Sequence, residues 1–188
     1  MRRGLMAWDE KELPRSVLAD RLLRLRDEMS RAGLDALVIY TNIARGSAVC
    51  WLTGFTPYWN EGLLLVPAKG DMIFATALSK RVADWIESVM PAGRVTTTPK
   101  PSALIGSEIA KQSGQSIGVL ELDDFPAGHA QAILQAVAGA KLIDATHPFS
   151  HARAHIDEAE RGLMEFANHL AIESCNGVDL GYNDSKSL

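Results

Sequence analysis

Cysteine is scarce in this sequence. Of 188 residues only Cys50 and Cys175 carry a thiol, which excludes the disulfide framework of a small secreted domain and points to a reducing, cytoplasmic setting. Cys50 lies in an apolar run and reads as a small buried hydrophobe. Long apolar stretches are missing too: none approaches the ~20 residues of a membrane span, so no membrane partner is expected. Positive charge is not in excess. The net charge is -4 and the pI about 5.7, which argues against nucleic acid or an anionic membrane as the main partner. Arg2 and Arg3 are not followed by an apolar segment, so no signal peptide is expected. Two chemical signatures are also absent. There is no Gly-x-Ser-x-Gly elbow, and Gly46-Ser47 has no evident triad partner. There is no glycine-rich phosphate loop; the glycines stand singly and punctuate turns.

What remains is an ordinary soluble composition, 47% hydrophobic and 22% charged. A chain of this length buries ~70% of its unfolded surface and needs no covalent staples. The region from Gly33 to Pro67 carries the strongest pattern. Ala36–Tyr40, Val49–Leu52 and Leu63–Val66 are short apolar runs bounded by Gly, Asn or Pro. They read as buried strands of a sheet covered on both faces. Before them, residues 16–32 read as a helix with Ser16 as N-cap and Gly33 just past its end. Leu18, Leu22, Leu25 and Met29 form its inward stripe.

Downstream, Met72–Ala77 is predicted to pair with Leu63–Val66 across the turn residues Ala68 to Asp71. Ser79 is placed to cap a helix running to Val89, with Val82, Trp85, Ile86 and Val89 on one side, closed by Pro91 and Gly93. Val95–Thr98 is a β-branched strand. After Pro99 and Pro101, Ser102 is placed to cap a helix carrying Leu104, Ile105 and Ile109, ended by Gly114. A strand over Ile117–Leu122, a helix over Pro126–Val137 with Ile133, Leu134 and Val137 inward, and a strand over Lys141–Ala145 follow. This alternation predicts an α/β fold: three layers, with a mixed sheet of about six strands. Pro148 opens a different regime, and Arg153 to Cys175 reads as one long helix with Ile156, Leu163, Phe166 and Leu170 sharing a face. The organisation is therefore an arm over residues 1–15, with Trp8 its one apolar anchor, an α/β domain over 16–147, and a linker plus long C-terminal helix over 148–188.

Two stretches carry a family resemblance. The helix ending in Gly33-Leu34-Asp35-Ala36-Leu37-Val38, followed by Trp51-Leu52-Thr53-Gly54-Phe55, resembles the amino-terminal domain of the creatinase, prolidase and aminopeptidase P "pita-bread" metallohydrolases. Arg153, Glu160 and Leu163-Met164 resemble that family's hinge into its catalytic domain, although Ile156 stands where the family has Lys. The resemblance implies an accessory domain that shapes a substrate entrance and makes subunit contacts, as a homodimer and against the catalytic domain of the same or a longer chain. It also implies that this chain holds no cofactor: the dinuclear Mn, Co or Zn site belongs to a catalytic domain for which the residues after Arg153 are too few. A free-standing binding or dimerisation module is the alternative, and a small metal-dependent hydrolase a weaker one.

Candidate residues follow from chemistry and position. Tyr58, Trp59 and Glu61 place two aromatics and a carboxylate on one loop, suited to touching a substrate or partner chain; the alternative is Trp59 folded back on the core edge. His147, His151 and His155 recur every four residues, the spacing that would stack imidazoles as metal ligands on a helix. Pro148 and Ser150 favour reading them as a polar linker. Glu121, Asp123 and Asp124 after a strand would suit magnesium, but read better as solvated or helix-capping carboxylates. Asp179 and Asp184 resemble the family's first two aspartate ligands at too short a spacing, and read as a solvated tail.

Overall fold

The computed structural model describes residues 9–57, 61–112 and 114–177. Its elements fall into two compact units, residues 1–155 and 156–188. In the first, α1 (Arg15–Arg31), β1 (Ala36–Thr41), α2 (Ser47–Thr53), β2 (Gly62–Pro67) and β3 (Ile73–Thr76) lead into α3 (Lys80–Val89) and β4 (Arg94–Thr97). Then come α4 (Pro101–Lys111), β5 (Ser116–Val119), a 3-10 turn (Leu122–Asp124), α5 (Ala127–Ala136), β6 (Lys141–Asp144) and α6 (Thr146–Arg153). The second unit holds α7 (Glu158–Gly177).

The six strands form one sheet in the order β4-β3-β2-β1-β5-β6. β1 pairs antiparallel with β2, from Ala36↔Pro67 to Thr41↔Gly62, and β2 pairs antiparallel with β3. The β3–β4, β1–β5 and β5–β6 pairs are parallel. Five strands thus run one way and β2 runs against them. The expected three-layer, mixed α/β sheet is what the chain adopts.

Strand alternation sorts the core into two layers. Leu37, Ile39, Leu64, Val66 and Phe74 face α1, α2, α3 and α6. Val38, Leu63, Leu65, Ile73 and Ala75 face α4 and α5. Every residue of β2 is buried, which is why that strand reads as continuous apolar sequence and not as alternation. The predicted α1 stripe is inward, with Leu18, Leu25 and Met29 at most 1% exposed and Leu22 packed at the margin. Gly33 takes the left-handed φ of +66° that ends a helix.

Several local expectations are corrected. Val49–Leu52 is not a strand; it lies within α2, which ends on Gly54 at φ +72°. Four apolar residues do not distinguish a buried strand from a buried helical turn, and here the left-handed glycine settles it. Pro14, not Ser16, is the N-cap of α1. Ser102 lies inside α4, which starts at Pro101 where a missing N–H costs nothing. That helix ends at Lys111, ahead of Gly114, and β5 stops at Val119. Leu134 points to solvent at 42% exposure, while Ile133 and Val137 are buried. The long helix expected from Arg153 is present as α7, Glu158–Gly177, while the stretch before it, read as a linker, is helical. His147–His151 belongs to α6, whose Phe149 and Ala152 are buried in the core, and Pro148 is tolerated in its first turn. α7 begins anew after Asp157, whose carboxylate accepts from the Glu160 backbone N–H at 2.9 Å.

α4 and α5 cross closely because Gly106 has no side chain. A Cβ there would lie 2.5 Å from the Ala136 Cβ.

Candidate functional site

After β1 the chain turns onto one face of the sheet as α2; after β5 it turns onto the other as α5. Helices that leave neighbouring parallel strands on opposite faces open a crevice at the strands' carboxyl ends, where α/β sheets place ligands. A cavity of about 220 Å³ sits there. It is lined by Ala48, Leu120 and Phe149 together with the charged side chains of Arg45, Glu121 and Arg153.

The walls are fixed by hydrogen bonds. Arg45 Nη2 lies 2.7 Å from Asp124 Oδ2 and Arg45 Nη1 3.8 Å from Glu121 Oε2. The loop carrying Arg45 is itself held, since Asn42 Oδ1 accepts from the backbone N–H groups of Ala44 and Arg45. Glu121 is the one non-glycine among the described residues with a positive φ, 55°. Its N–H donates to Thr146 Oγ1 at 3.0 Å, and that hydroxyl donates to Asp144 Oδ1 at 2.6 Å. These bonds, the Thr146 hydroxyl first and the Leu122 and Thr146 backbone N–H groups after it, hold Asp144 below the usual carboxylate range. Arg153 Nη1 reaches Ser47 Oγ at 3.5 Å.

The residues singled out from sequence are distributed as follows. Glu61 is exposed and its Oε2 accepts from the Tyr40 hydroxyl at 3.0 Å. Tyr58, Trp59, Asp179 and Asp184 lie outside the described residues. His147 and His151 stack with ring centroids 6.3 Å apart, and His151 Nδ1 lies 2.9 Å from Glu28 Oε1. His155 contributes its backbone carbonyl, which accepts from Arg24 Nη1 at 2.8 Å. Among the described residues no three His, Cys, Asp or Glu side chains gather as metal ligands. Glu121 and Asp124 neither hold one another nor cap α5, whose N-cap is Pro126; both face Arg45. Arg45, Ser47 and Arg153 were not singled out as a group. Ser47 and Arg153 alone are 106 positions apart, and the three meet only through the fold's topology. The β1–β5 adjacency, which sequence alone does not supply, is the signal that finds them.

The profile of the creatinase/prolidase N-terminal domain family matches residues 21–155. The chain belongs to that family. No curated protein sequence matches it. Solved structures do. The N-terminal domain of the cytoplasmic peptidase PepQ from Mycobacterium tuberculosis is 22% identical, with TM-score 0.58 over 72% of this chain and 98% of that one. The prolidase from Pyrococcus horikoshii is 14% identical, with TM-score 0.64 over 84% of this chain and 41% of that one. The dipeptidase PepE from Mycobacterium ulcerans is 21% identical, with TM-score 0.60 over 83% of this chain and 40% of that one. At these identities the likeness is one of fold, and the match spans about two fifths of the two longer chains. No described helix is long and apolar enough to cross a membrane.

Proposed function

We propose that this chain acts as an accessory N-terminal domain of a metallopeptidase or creatinase-like hydrolase, shaping a substrate entrance and making subunit contacts in the cytoplasm. The observation that carries this reading is the extent of the family match. It covers the α/β unit and ends at His155, while this chain spans only about two fifths of the length of the prolidase and dipeptidase structures it resembles. The divalent metal, Mn, Co or Zn, belongs in this account to a catalytic domain and not to the residues here. The entrance role falls to the loop that ends at Glu61, whose carboxylate is tied to the sheet through Tyr40.

The subunit role includes self-association. Ile156, Leu163, Phe166 and Leu170 in the second unit are each more than a third exposed, and a second copy of the chain would remove that apolar area from water. Light scattering of the purified chain tests this part. A dimer at micromolar concentration is the expected result, and a monomer up to high micromolar concentration would remove it.

A further inference from the structure

We propose that the crevice between the carboxyl ends of β1 and β5 binds a small organic carboxylate, held by Arg153 and Arg45. This site lies within the first compact unit and is independent of the hydrolase reading above.

Three observations carry it. First, Arg153 faces the cavity with no carboxylate partner among the described residues; its one contact is Ser47 Oγ, at the long limit of a hydrogen bond. A guanidinium left with most of its five N–H donors unused matches a planar carboxylate with two parallel hydrogen bonds. Second, Arg45 is held in place by Asp124 at 2.7 Å, so the second cation is positioned before any ligand arrives. Third, Glu121, whose carboxylate lies 3.8 Å from Arg45 in the cavity lining, is kept in a left-handed backbone conformation that glutamate adopts rarely. The Thr146–Asp144 hydrogen bonds pin it there. Backbone strain of that kind concentrates at binding sites.

The same residues limit the ligand. At about 220 Å³ the cavity is below the roughly 300–1,000 Å³ of sites for drug-sized molecules. It therefore suits a short acid and not a folded peptide. Ala48, Leu120 and Phe149 line the cavity, with Ala48 and Phe149 buried, so there is room beside the carboxylate for only a short aliphatic body. Glu121 in the wall repels anions, which penalises a dianion such as phosphate more than a monocarboxylate.

The test is an NMR titration of the full 188-residue chain with isovalerate, following the Arg153 side-chain Nε–H and the backbone amides of Ser47 and Ser150. Isovaleramide serves as the neutral control and inorganic phosphate as the dianion control. Saturable shifts with isovalerate are expected, with isovaleramide and phosphate both weaker. Arg153→Met keeps the aliphatic stem and should weaken isovalerate about tenfold or more. Glu121→Gln should tighten it by a few-fold, since it removes a repelling charge. Absence of saturable shifts at Arg153 would overturn the proposal. So would isovaleramide binding as well as isovalerate, phosphate binding more tightly, or a folded Arg153→Met variant with unchanged affinity. Should Arg153→Met fail to fold, Glu121→Gln decides alone: unchanged or weaker affinity rejects the site.

Discussion

The Tyr40 hydroxyl donates to Glu61 Oε2 at 3.0 Å, joining the end of β1 to the residue that precedes β2. The bond spans the connection that contains α2 and the aromatic loop, so it fixes one end of that loop to the sheet. Tyr40 also meets Phe125 edge-to-face, with centroids 6.4 Å apart. Its ring and its hydroxyl therefore serve different purposes. Tyr40→Phe should cost less than about 1 kcal/mol in a urea melt, because the bond is exposed to solvent. The same variant should shift the amide resonances of Glu61 and Gly62. Tyr40→Ala, which also removes the ring, should cost clearly more. Equal costs for the two variants would show that the ring packing contributes nothing.

The α4–α5 crossing makes a second prediction. Gly106→Ala adds a better helix former, which alone would stabilise α4 by up to about 1 kcal/mol. The new Cβ meets the Ala136 Cβ at 2.5 Å, so the helices must part. The expected net result is destabilisation by about 1–3 kcal/mol. Combining it with Ala136→Gly should recover part of the loss, and a double-mutant cycle reads that coupling. Strict additivity would mean that the helices separate without strain.

Asp144 predicts a pH dependence. Its folded-state pKa is depressed, first by the Thr146 hydroxyl and then by the backbone N–H groups of Leu122 and Thr146, against an opposing desolvation. A depressed carboxylate contributes stability above its unfolded pKa of about 3.9 and loses it as pH falls through the folded value. Asp144→Asn should therefore be less stable than the parent at pH 7. The gap should close as the pH drops below about 4. A gap that widens on acidification would have the wrong sign for this network.

Much of the fold was legible in sequence, and the exceptions have physical reasons. β1, β2 and the inward face of α1 are visible because burial on both faces leaves continuous apolar runs and a helical stripe. Val49–Leu52 misleads because four apolar residues carry no period. Pro148 misleads because proline breaks a helix interior but not its first turn. The crevice was not legible. Arg45 and Asp124 bond across 79 positions, and neither residue type nor local spacing marks the pair. Glu121 reads as one of three carboxylates within four residues, and its backbone angle, not visible in sequence, separates it from Asp123.

The proposed accessory role implies that these residues supply no hydrolytic metal centre. A hydrolytic metal site needs about three well-placed protein ligands and an open position, and a two-metal site needs bridging carboxylates as well. The measurement that tests it most directly is metal content of the purified chain after dialysis, paired with Xaa-Pro dipeptide hydrolysis in added manganese or cobalt. No stoichiometric metal and no turnover are expected. Stoichiometric metal together with turnover that Asp179→Ala abolishes would contradict the accessory role.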